Sequence, residues 1–138
     1  MFNPIADFMA MRRQIEARSR LIGLWGFMLN VPILLGGLVF INRPAGWVTA
    51  AAIVVSLLIA IQINKRAPMS RLMGLCHVVF LPAIFILAGE FDADALNSPY
   101  NLWVAYSLAL MSLCVLIDLF DLYRYFVLGN RTYGSPVA

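Results

Sequence analysis

Hydrophobic residues along the chain fall into four long, almost uninterrupted runs separated by short polar connections, and each run is close to the ~20 residues a helix needs to cross a bilayer core. The predicted spans cover about residues 21–41, 47–63, 72–88 and 102–127. A different pattern precedes them. Over residues 1–20, Ile5, Phe8, Met9 and Ile15 alternate with Arg12, Arg13, Glu16, Arg18 and Arg20, which predicts an amphipathic helix lying on the membrane surface, with Asn3 as its cap and Pro4 in its first turn. Residues 129–138 read as a tail after a helix stop at Gly129 and Asn130.

Within the spans, particular residues predict local behaviour. Asn30 and Pro32 lie near the middle of the first; the proline removes a backbone hydrogen bond and predicts a kink near Met28, with Asn30 available to satisfy the freed carbonyl. Gly23, Gly26, Gly36 and Gly37 permit close helix approach, as does the stripe of Ala52, Ser56 and Ala60 in the second span. The turn Asn42-Arg43-Pro44-Ala45-Gly46 is too short to let spans one and two be anything but antiparallel neighbours. Pro82 predicts a bend in the third span, and the acidic connection from Glu90 to Tyr100 has room for a short turn of helix.

The fourth span differs from the others in carrying a sustained polar seam. Ser107, Met111, Cys114, Asp118, Asp121 and Tyr125 step by three and four residues and therefore share one helix face. A charged side chain at mid-bilayer costs about 2.5–3.5 kcal/mol on insertion scales, so Asp118 and Asp121 are expected to face the bundle interior and to have partners. Arg124 is the nearest candidate for Asp121 on the same helix. Asp118 must look elsewhere, to His77, Asn64 or Gln62 on neighbouring helices, or to a second protein.

Composition agrees with the pattern: 138 residues, 62% hydrophobic, 12% charged and a mean hydropathy of +0.85 place the chain in a bilayer rather than among soluble domains, which are about 25% charged. Its net charge of +3 needs no nucleic-acid partner, because the ten basic residues sit mostly at the ends of apolar runs. Their distribution predicts orientation. Arg12, Arg13, Arg18, Arg20, Lys65, Arg66, Arg71, Arg124 and Arg131 fall on one side, and Arg43 on the other with Glu90, Asp92 and Asp94, so both termini are expected in the cytoplasm. No removable signal peptide is expected, and the dominance of arginine over lysine fits a bacterial inner membrane. Cys76 and Cys114 are expected at different depths and therefore not to form a disulfide.

The chemistry carried by these residues excludes more than it selects. One histidine cannot supply bis-histidine haem ligation, there is no phosphate-binding glycine loop, and no serine or cysteine has an evident base beside it, so no enzymatic activity and no cofactor are expected. His77, the two aspartates and Cys76 form no spacing typical of a metal site. The expected fold is an all-α, four-helix antiparallel membrane bundle with an interfacial N-terminal helix. The expected function is that of an accessory or assembly subunit of a larger membrane complex or homo-oligomer, in contact with lipid and with other subunits or itself, with an inward-facing polar cluster of His77, Asp118, Asp121, Arg124, Asn64 and Gln62. The alternative is a small proton-coupled transporter or channel using Asp118 and His77.

Overall fold

A computed structural model describes residues 2–132. Helix α1 (Pro4–Arg18) starts where the sequence places it: the Asn3 side chain accepts a hydrogen bond from the Ala6 amide at 3.1 Å, and Pro4 occupies the first turn, where its missing N–H costs nothing. Ser19 is extended (φ −158°, ψ 124°) and caps α2 (Arg20–Val39), so the chain turns a corner there. Helix α3 spans Pro44–Arg66. The third run is composite, with a 3-10 helix over Arg71–Val79 followed by α4 (Phe80–Glu90), and the last is α5 (Pro99–Phe126). Among the described residues, four helical stretches, Arg20–Val39, Pro44–Arg66, Arg71–Glu90 and Pro99–Phe126, are long and apolar enough to cross a membrane.

The core joins all four stretches. Ile33, Ile53, Phe80, Ala83, Leu87, Val104 and Met111 are fully buried, with Leu29 and Cys114 nearly so. The Ala52, Ser56 and Ala60 stripe is spent inside the molecule, where α3 packs against the 3-10 segment and α4. Two glycines mark the closest approaches. A Cβ on Gly46 would overlap the Phe40 carbonyl in the α2–α3 turn, and one on Gly36 would overlap the indole of Trp103, which donates to the Ile33 carbonyl at 3.3 Å.

Three features add to the sequence reading or differ from it. First, α2 is assigned as one helix through Pro32, and the carbonyl the proline frees finds a partner other than Asn30. The carbonyl that Pro32 leaves without its helical donor is that of Met28, and it accepts from the Tyr106 hydroxyl of α5 at 2.5 Å; Asn30 instead donates to Gly26 at 2.7 Å. The proline thus creates an interhelical bond. Second, the third run changes helix type instead of merely bending. Pro82 stands in the first turn of α4, the position an α-helix tolerates, and the nine residues before it wind as a 3-10 helix opened by Ser70, whose hydroxyl accepts from Leu72.

Third, α1 docks on the protein. Met11 is 4% exposed and packs with Phe8 and Ile15 against Ala60, Ile61, Met73 and Cys76, while Lys65 pairs with Asp7 at 2.9 Å. At the other end, the acidic connection forms the expected single turn, a 3-10 turn over Ala93–Ala95, pinned by reciprocal bonds between Asp92 and Asn101. Helix α5 stops at Phe126, with Gly129 at φ +68°, a left-handed conformation that favours glycine. The expected tail lies partly outside the described residues; up to Thr132 it returns along the 67–71 connection, where Arg71 donates its amide to the Arg131 carbonyl at 3.0 Å.

Replacing Tyr106 by Phe should lower bundle stability by about 0.6–1.5 kcal/mol, the range for an interhelical hydrogen bond. Reversible denaturant titration in mixed micelles checks this. A Pro32→Ala, Tyr106→Phe double variant should recover much of the loss, because alanine restores the helical donor to the Met28 carbonyl.

Candidate functional site

The polar seam of α5 meets the 3-10 segment from Asp121 to Cys114. Three residues per turn align side chains at i and i+3, so Arg71, Gly74, His77 and, at the start of α4, Phe80 form one row. On α5, Asp121, Asp118, Cys114 and Met111 form the facing row, stepping by three and four. The two rows engage residue by residue.

At the end of the bundle nearer α1, Arg71 Nη1 donates to Asp121 Oδ1 at 2.5 Å, and both side chains are 9% exposed. One turn further in, His77 Nδ1 lies 2.6 Å from Asp118 Oδ2. The Cys114 thiol lies 3.4 Å from the same imidazole nitrogen and 3.7 Å from the same carboxylate oxygen. Gly74 makes room for the pair, since a Cβ there would stand 3.1 Å from the Cβ and 3.3 Å from Oδ1 of Asp118. The Phe80 ring, 4.7 Å from the imidazole centroid, closes the next level. A cavity of about 70 Å³ flanks the site, lined by His77 and Asp118 with Val78, Leu81, Val115 and Leu119.

Deeper in the bundle the hydrogen-bonded part of the row ends. Met111, Val104, Phe80 and Leu87 are fully buried around it. Asn30 Oδ1, Thr49 Oγ1 and Ser107 Oγ are buried without a hydrogen-bond partner among the described residues, and no hydrogen bond there links them to His77 or Asp118.

The sequence-nominated residues divide accordingly. His77 and Asp118 are brought together. Asp121 joins the row through Arg71 instead of Arg124, whose guanidinium stacks 4.4 Å over the Phe120 ring. Asn64 serves the α1 junction, donating to Gln14 at 3.1 Å and accepting from the Met69 amide at 3.2 Å, and Gln62 is exposed. Of the seam, Ser107 to Asp121 is buried and Tyr125 is half-buried, with Arg131 over its ring at 5.6 Å. Reading the third span as an α-helix hides Arg71, because six residues at 100° leave it 120° round the helix from His77; the period of three aligns them. Cys114 was legible on the seam, one turn before Asp118.

Comparison with protein-family models, with curated proteins and with solved structures finds no match to the chain, so its function rests on its own geometry.

Removing one member of a buried ion pair typically costs 3–5 kcal/mol, whereas a cation stacked on an exposed ring is worth about 0.5–1 kcal/mol. Arg71→Ala should therefore lower stability by about 3 kcal/mol and Arg124→Ala by less than about 1 kcal/mol. Mixed-micelle unfolding of the two variants under the same conditions checks the order.

Proposed function

We propose that the chain is a non-enzymatic, multi-pass subunit of a bacterial inner-membrane assembly, formed with other membrane proteins or with further copies of itself. Its spans run as an antiparallel bundle, with both termini in the cytoplasm and α1 at the cytoplasmic interface. The observation that carries this reading is the closure of the polar row. Arg71 is bonded to Asp121 and His77 to Asp118 across two elements, and among the described residues no hydrogen bond connects these pairs to the buried Asn30, Thr49 or Ser107 deeper in the core. Intramembrane charges paired in this way hold helices in register, which is what a structural subunit needs, and they offer no continuous relay across the membrane.

Orientation rests on the basic side chains of α1, the 65–71 connection and the end of α5, set against the acidic connection between α4 and α5. The partner face is the outer side of α2. There, a Cβ on Gly26 would have no neighbouring atom within 4 Å, so another helix can approach closely, and Leu24, Phe27, Val31 and Leu35 are exposed.

The proton-coupled reading of His77 and Asp118 has one observation in its favour, the cavity beside the pair. Mass determination of the intact assembly after gentle detergent extraction separates the two. The expected result is a particle heavier than one 15.4 kDa chain and its detergent, unchanged in composition in Asp118→Asn. A monomer that drives pH-dependent flux in liposomes, with that flux lost in Asp118→Asn, would replace the subunit reading with the carrier.

A further inference from the structure

We propose that His77, Cys114 and Asp118 form a binding site for a borderline-soft divalent cation of the Zn²⁺ type, bridging the 3-10 segment and α5. The proposal does not depend on whether the chain has a protein partner. Three side chains of different donor type, imidazole nitrogen, thiol sulfur and carboxylate oxygen, converge so that their ligand atoms all lie within 4.8 Å of one another. They come from two elements far apart in sequence, which is why no ligand spacing announces them.

Tetrahedral zinc has Zn–S of about 2.3 Å and Zn–N or Zn–O of about 2.0–2.1 Å, which sets sulfur-to-nitrogen and sulfur-to-oxygen separations near 3.5 Å and nitrogen-to-oxygen near 3.3 Å. The two sulfur edges here, 3.4 Å to His77 Nδ1 and 3.7 Å to Asp118 Oδ2, already have those lengths. The third edge, 2.6 Å, is short because a hydrogen bond spans it. A metal ion takes the place of that proton, which moves to Nε2 of the neutral imidazole or, from an imidazolium, is released to solvent, and the Nδ1 to Oδ2 edge must open by about 0.7 Å, within reach of small side-chain rotations.

Charge and ligand chemistry agree with this. Binding takes the proton from the Cys114 thiol and uses the neutral imidazole and the ionised carboxylate, so M²⁺, thiolate and carboxylate sum to zero. A neutral cluster is the form of a metal site that a low-dielectric span can hold at least cost. The mixed S, N, O donor set selects Zn²⁺ and its borderline relatives over the hard ions Mg²⁺ and Ca²⁺, which want oxygen ligands. Three protein ligands, leaving the fourth tetrahedral place to a further ligand, is the pattern of an open zinc site. The Phe80 ring against His77 and the close fit of Gly74 on Asp118 hold two of the ligands in place beforehand.

The test uses the full chain, purified metal-free in detergent and titrated with Co²⁺ as an optical stand-in for zinc. The expected result is one Co²⁺ per chain, a thiolate-to-cobalt charge-transfer band, and displacement of that band by Zn²⁺ but not by Mg²⁺. Cys76→Ser should keep the band, Cys114→Ser should abolish it, and Asp118→Asn should weaken binding at least tenfold. Absence of a thiolate band in the wild type, or a band that survives Cys114→Ser, overturns the site. If Cys114→Ser fails to fold, the wild type decides alone: Zn²⁺ should protect Cys114 from maleimide labelling under partial denaturation while leaving Cys76 unprotected. Equal labelling with and without Zn²⁺, or equal protection by Mg²⁺, overturns it.

Discussion

Charges inside an apolar medium must be paired, and in this protein that requirement is met by one contact surface, the meeting of the 3-10 segment with α5. Arg71 with Asp121 and His77 with Asp118 join the two elements by pairs that cross between them. The rest of the architecture accommodates that surface. The small residues of α3 let the 3-10 segment sit close, Gly74 lets α5 come closer still, and the return of the chain after Gly129 covers the Arg71 end. A slip of one residue between the two rows would leave ionised groups facing hydrocarbon, so the same pairs that stabilise the bundle also specify its register.

The helix type of the third span belongs to the same account. A 3-10 helix has poorer hydrogen-bond geometry than an α-helix, and runs of more than three or four residues are uncommon. Nine residues of it are offset here by what the geometry arranges: every third side chain faces α5, so one short segment presents Arg71, Gly74 and His77 in line, with Phe80 next at the start of α4. Pro82, which stands where an α-helix begins most easily, separates the two regimes. Prolines elsewhere work in a similar way. Pro32 donates nothing, and the Met28 carbonyl it leaves open becomes the anchor for Tyr106 across the helix interface.

Chemically, the His77, Cys114 and Asp118 group and the Arg71 and Asp121 pair divide the polar row into two parts with different character. The outer pair is a charge-assisted contact between an obligate cation and a carboxylate, suited to holding position. The inner group contains a thiol, an imidazole and a carboxylate beside a cavity, a set of donors that can exchange a proton for a metal ion. Helix α1 packs close by through Met11, which touches the same level of the bundle as Cys76.

Much was determined by the order of residues alone. Four apolar runs, the Asn3 cap, the stop at Gly129, and the burial of the α5 seam from Ser107 to Asp121 all follow from local periodicity and local backbone chemistry, which do not depend on what lies across the interface. What the tertiary structure decided was pairing. Asp121 lies three residues from Arg124, yet it bonds Arg71, fifty positions away, because a buried guanidinium needs a buried carboxylate more than one that can lie over a ring at the surface does. Cys114 meets His77 only across the interface between two elements, and Arg71 and His77 fall in line because the third span, packed between α3 and α5, winds there with a period of three, which the apolar run by itself does not announce.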